Sequence, residues 1–254
     1  MRGWVTAMVL AAGVSVSGAA GAYELGGYAR VLQRGDTTSL QSLEVSALRQ
    51  AIAEREAHIR ALEERLRESQ EGREDARAEA LGVSQALRRA DLPEQAKRRL
   101  ARTIVREAER NGLDPLLVVA VIHSESSFNP YAQSKVGARG LMQVMPDTGR
   151  WLLKRRGEKL GRVSNLFDME LNVQLGTAYL AELKRKFGTV EGALVAYNAG
   201  PGAARKILKS EKRRAKFIAG YPRKVVREHL RLRAALEADV SRRLAASEVA
   251  PNKG

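Results

Sequence analysis

The chain has 254 residues and a net charge of +15, from 44 Lys and Arg against 29 Asp and Glu. That length suits one medium domain plus extensions, and the basic surface suits an anionic polymer or a membrane surface. No cysteine is present, which excludes disulfides, thiolate metal sites and a lipidated cysteine; three histidines without HExxH spacing argue against a metal site.

Residues 1–22 read as a secretory signal: Arg2 is the positive start, Trp4 to Val16 the apolar centre, and Ala20-Gly21-Ala22 fits small-x-small cleavage. An uncleaved anchor is the alternative, but Gly and Ser make the second half a poor membrane span. Residues 23–39 show no period and read as a linker. Over residues 40–92 the text turns charged and rich in Ala, Leu, Glu and Arg. Val45, Leu48, Ile52, Ile59, Leu62 and Leu66 follow each other in steps of three and four, with one skip at Arg55. That is a heptad seam, which predicts a coiled-coil-like helix for self-association or a protein partner. A helix packed on the rest of the chain, or a charged spacer, is the plainer reading. Gly72 and Gly82 weaken its second half.

Pro93 opens the globular part, residues 93–236. A helix is expected from Glu94 to Arg110, with Leu100, Ile104, Val105 and Ala108 on one face and Gly112 as its stop. Asp114 and Pro115 then read as an N-cap and a first helical proline. Leu116–Ile122 is apolar throughout, so this helix is buried on most faces. Further helices are expected from Pro146, from the Asp168 cap to Gly188, from Thr189, from Gly202 to Leu208 and from Pro222 to Leu236. Lys154–Ser164 reads as a basic surface loop, and residues 237–254 as a C-terminal tail. No segment alternates as a strand does, so the fold class is all-α.

Glu125 closes the apolar helix and enters a loop containing Ser134, Gly137 and Gly140. A glutamate at a helix end is ordinarily a solvated surface residue. Here the glycines permit tight backbone paths beside it, and apolar walls raise a carboxyl pKa by disfavouring the charged form. Such an acid stays protonated near neutral pH and can donate a proton.

Three blocks then stand in order: ESSFNP at Glu125–Pro130, SKVGARGLMQVMP at Ser134–Pro146, and AYNAGPG at Ala196–Gly202. Together they resemble the catalytic domain of the soluble-type lytic transglycosylases, relatives of goose-type lysozymes. The resemblance spans about Pro93 to Leu232. It implies a lysozyme-like helical catalytic domain preceded by the heptad-bearing helix, with Glu125 as the catalytic acid. Ser126, Ser134, Gln143, Met145, Tyr197 and Asn198 match residues that line the sugar groove. For Met145 and Tyr197 the plainer reading is core packing and a buried ring with one hydroxyl partner.

The implied reaction cleaves the MurNAc–GlcNAc β-1,4 bond of peptidoglycan. Glu125 protonates the leaving oxygen, then deprotonates the muramic 6-hydroxyl, which closes to a 1,6-anhydro ring. No cofactor and no metal are implied, and the location is the periplasm or cell envelope. The competing readings are a lysozyme-like hydrolase, a peptidoglycan-binding module without turnover, and a nucleic-acid binder. The last lacks any recognition motif and sits poorly with a secretory signal. One departure from the family stands out. Where Glu-Thr-x-x-Tyr-Val is usual, this chain has Tyr221-Pro222-Arg223-Lys224-Val225-Val226, without the acid and the usual tyrosine.

Overall fold

A computed structural model describes residues 37–249; the signal and most of the linker expected from the sequence lie outside them. The chain divides into two compact units, residues 1–69 and 70–254. The described residues form ten α-helices and one 3₁₀ turn, with two isolated β-bridges. The all-α expectation therefore holds.

Helix α1 runs Thr37–Ala80, beginning inside the stretch expected to be linker. Gly72 does not interrupt it, but Gly82 does, at φ +73°, where the side chain of Leu236 leaves little room for a Cβ. The short α2, Val83–Leu87, follows. The expected single helix over 40–92 is thus two helices, and the core begins before Pro93. Ala78, Val83, Leu87 and Ala90 are buried in one cluster with the helices that follow.

Helix α3 spans Glu94–Arg110 and buries the expected face. Helix α4, Pro115–Ser126, is the centre of the second unit: every residue from Leu116 to Ile122 is buried. The Asp114 side chain accepts from Leu116 N at its start, as the sequence predicts. Burying seven apolar side chains on one short helix anchors it firmly, at about 1.5–3 kcal/mol for each large one.

Helix α5 is Pro146–Lys154, and α6 is Met169–Phe187, capped by Asp168 and closed by Gly188 in the left-handed region. The sequence places Leu171, Leu175, Ala178, Tyr179 and Leu183 on the inward face of α6. Leu175 and Leu183 are buried, Leu171, Ala178 and Tyr179 are half-buried, and the buried face shifts to include Val173, Leu180 and two polar residues, Asn172 and Thr177. Helix α7, Val190–Ala199, takes Thr189 as its cap. Helix α8 is Pro201–Leu208 and α9 is Glu211–Ile218, an element without an apolar stripe to betray it. Helix α10 runs Tyr221–Val249, well past the expected end at Leu236.

Helix α10 lies against α4 and is tied to it by polar links. Asp114 pairs with His229 at 2.7 Å and with Arg233 at 3.0 Å. Burial pushes the Asp114 carboxyl up, but hydrogen bonds from His229, Arg233 and the Leu116 amide overcome this and hold it at about 2. His123 lies 3.7 Å from Glu228. At the far end Tyr221 reaches Glu125.

Candidate active site

Helix α4 stops because Ser127 and Phe128 both take left-handed backbone angles, φ +51° and +67°. Gln143, at φ +48°, is the third described non-glycine residue in that region. Each such residue costs on the order of 1 kcal/mol, and strain of this kind collects where a surrounding structure holds a site in shape. All three lie in the loop between Glu125 and α5.

That loop is built from its own residues. Ser134 pairs with Ala138 through both backbone groups' side of a turn: its amide donates to the Ala138 carbonyl, and its hydroxyl accepts from the Ala138 amide at 3.0 Å. Gln143 Nε2 donates to the carbonyls of Ala132 and Gly140. Asn172, fully buried on α6, donates through Nδ2 to the Arg139 and Leu166 carbonyls and accepts from Met142 N through Oδ1. Gly140 must be glycine: it sits at φ +76°, and a Cβ there would overlap Asn172 Nδ2 and the Leu166 carbonyl.

Glu125 itself is half-buried. Burial raises its pKa, opposed by the Tyr221 hydrogen bond and the Lys224 ammonium. Tyr221 Oη donates to Glu125 Oε1 at 2.5 Å, the length of a charge-assisted bond. Burial, then the Glu125 charge, push the Tyr221 hydroxyl far above its ordinary pKa, so it remains a donor. No second carboxylate stands among the groups that shift Glu125.

Tyr197 lies in the field of the same carboxylate. Burial first, then the Glu125 charge, raise its pKa well above normal. Its hydroxyl donates to the Met142 carbonyl at 2.7 Å, and its ring packs on Tyr179 at 5.6 Å. Asn198 is exposed and, with Tyr221, Arg213, Lys216 and Phe217, lines a cavity of about 370 Å³. The structure thus brings Tyr221 to Glu125, with Tyr197 in the field of the same carboxylate and Asn198 lining one cavity with Tyr221.

The other expected residues sit differently. Ser126 donates its hydroxyl back to the Ile122 carbonyl within α4. Ser134 and Gln143 hold the loop. Met145 is 38% exposed at the N-cap of α5, so it is not the core residue of the plainer reading. Two residues escaped sequence reasoning. Tyr221 lies 96 positions from its partner, and its stretch drew notice only for the residues it lacks. Asn172 offered one signal, a lone amide between Leu171 and Val173 on an apolar helix.

The transglycosylase SLT domain family matches residues 102–219, from within α3 to just short of Tyr221. Over that segment the chain is similar to the SLT family. Similar proteins include the membrane-bound lytic murein transglycosylases C of Edwardsiella ictaluri and Pectobacterium atrosepticum. The first is 42% identical over 43% of this chain and 33% of its own length, the second 41% over 44% and 34%. The chain thus spans about a third of the length of these relatives. Among solved structures, the 70 kDa soluble lytic transglycosylase of Escherichia coli is 27% identical, over 56% of this chain and 26% of that one, with a TM-score of 0.48. The carboxylate, loop and α7 tyrosine all fall within the matched SLT segment; the Tyr221 donor falls outside it.

Proposed function

We propose that the SLT domain cleaves the MurNAc–GlcNAc β-1,4 bond of peptidoglycan without water, leaving 1,6-anhydro-MurNAc ends. The observation that carries this reading is the setting of Glu125: a half-buried carboxyl at the end of an apolar helix, raised in pKa by burial and held by the Tyr221 hydroxyl. The names of its similar proteins point the same way.

An oxocarbenium-like transition state needs a proton for the leaving oxygen and a nucleophile for the anomeric carbon. Glu125 in its acid form supplies the proton to the glycosidic oxygen as that C–O bond breaks. The resulting carboxylate accepts the proton of the muramic 6-hydroxyl, whose oxygen bonds to the anomeric carbon. Atoms balance without water, and Glu125 ends protonated as it began. An intramolecular hydroxyl replaces the entropy cost of recruiting water, so a second positioned carboxylate is not required. Tyr221 holds Glu125 in place between the two steps, since its hydroxyl can follow the carboxyl in either protonation state. Ser126, Ser134, Gln143, Met145, Tyr197 and Asn198 complete the groove, with Ser134, Gln143 and Tyr197 acting through the shape of the loop.

Export through residues 1–22 belongs to the same proposal, because peptidoglycan lies outside the cytoplasm. No helix of the described residues is long and apolar enough to cross a membrane. Residues 40–69 serve assembly, by self-association or a protein partner, and residues 70–92 belong with the SLT domain's core. Mass spectrometry of fragments released from purified sacculi tests the chemistry. Anhydro-muramic ends are expected; reducing-end muramic acid as the main product would mean hydrolysis.

A further inference from the structure

The first unit leaves an apolar seam in the open. Val45, Leu48, Ile52, Ile59, Leu62 and Leu66 are each between 45% and 58% exposed along one stripe of α1. With Val45 at position a, the a positions are 45, 52, 59 and 66, and the d positions are Leu48, Arg55 and Leu62. The flanking e positions hold Arg49, Glu56 and Glu63; the g positions hold Glu44, Ala51, His58 and Arg65. We infer that this seam pairs with a second copy of the same chain in an antiparallel coiled coil, centred between residues 53 and 54.

Arg55 decides the orientation. A parallel in-register pair would stack the two Arg55 guanidiniums in one layer, like charges in a low-dielectric seam. In the antiparallel pair each Arg55 lies opposite Ile52 of the second copy, and its long stem packs there while the charged head reaches the rim. Val45 then meets Leu62, and Leu48 meets Ile59, twice each by symmetry.

The charges fix the register. In this alignment the e–e and g–g flanks place Arg49 near Glu56 and Glu44 near Arg65, giving four opposite-charge pairs across the dimer. Sliding by one heptad keeps as many fully apolar layers but sets Glu56 against Glu56 and His58 against His58. A polar seam residue with complementary flanks is how coiled coils select register, at some cost in stability. This deepens the assembly role proposed for residues 40–69, and it is independent of the chemistry at Glu125.

The chain's lack of cysteine makes the test clean. Two full-length variants, Leu48→Cys and Ile59→Cys, are purified separately and mixed, then oxidised mildly. The mixture is expected to give a covalent dimer, while each variant alone stays uncrosslinked. Eleven residues separate the two positions, roughly 16 Å along a helix, so in the antiparallel pair the same position on the two copies lies too far apart to bridge. Light scattering should report twice the chain mass for the natural sequence and one chain mass for Ile52→Asp. Crosslinking of Leu48→Cys with itself would mean a parallel pair and overturn the assignment. A natural chain that scatters as a monomer at every concentration would overturn association altogether. Either failure would leave the product assay on sacculi untouched.

Discussion

Helices α1 and α3 both place apolar residues at steps of three and four, and the fold treats them oppositely. Leu100, Ile104, Val105 and Ala108 of α3 are at most 4% exposed, whereas the α1 seam is about half exposed throughout. The difference lies in what flanks each helix in sequence. Around α3 the chain supplies α2, the apolar run Leu116–Ile122 of α4 and the broad buried face of α6. Around residues 45–66 it supplies charged and polar residues held in short-range pairs, such as Arg67 with Glu64 and Gln50 with Glu54. Periodicity therefore identifies the face that needs cover; it does not identify the cover.

If chemistry is confined to the second unit, the strongest break is at Glu125. Glu125→Gln should lower fragment release by about a hundred to ten thousand-fold, the usual worth of general acid–base help. Removal of residues 23–69 should leave release in place. A folded truncation without activity would tie α1 to the cleft. The cut must not reach residue 92, because Ala78, Val83, Leu87 and Ala90 are core. Glu125→Gln should also be more stable than the natural chain at neutral pH. Burial raises the folded pKa, so the ionised acid costs stability above it. The gain should vanish as pH falls below the unfolded carboxyl value of about 4.3.

Next in size is the buried amide that joins the loop to α6. Asn172→Ala removes three hydrogen bonds and strands the Met142 amide, and should cost about 2–4 kcal/mol in urea unfolding. A cost near zero would mean that the loop keeps its shape without α6.

Tyr221→Phe should act on the site and not on the fold. A hydrogen bond to a charged group is worth about 1.5–3 kcal/mol. Because that bond lowers the Glu125 pKa, its loss should move the alkaline limb of the kcat profile to higher pH. A fall in kcat with KM little changed would mark positioning. An unmoved limb would remove Tyr221 from the mechanism.

The smallest effect is expected at the helix start. Asp114→Ala loses the α4 cap and the links to His229 and Arg233, at about 1–2 kcal/mol. The Asp114 pKa is depressed to about 2, so its contribution is fully present above the unfolded value and is lost as pH falls through the folded one. The stability gap between variant and natural chain should therefore close between about pH 4 and pH 2.

The legible parts of this fold were local. Asp114, Asp168 and Thr189 declare helix starts because a short polar side chain there satisfies amides two or three residues on. Gly188 declares a helix end, and Glu125 is marked by the apolar run before it. The illegible parts were long-range or unpatterned. Tyr221 reaches Glu125 only because α10 folds back along α4, and no local spacing encodes that meeting. Helix α9 has charged residues on every side, so nothing in its period separates it from a loop. Helix α10 extends to Val249 because residues 237–249 contain neither Gly nor Pro to stop it.

The central claim is that one carboxylate serves both steps and water serves neither. Digestion of sacculi in ¹⁸O-labelled water, followed by mass spectrometry of the released glycans, tests it directly. The account predicts unlabelled fragments, each lighter by one water than a hydrolysis product. Fragments carrying one ¹⁸O at a reducing muramic end would contradict it and would require a second base beside Glu125.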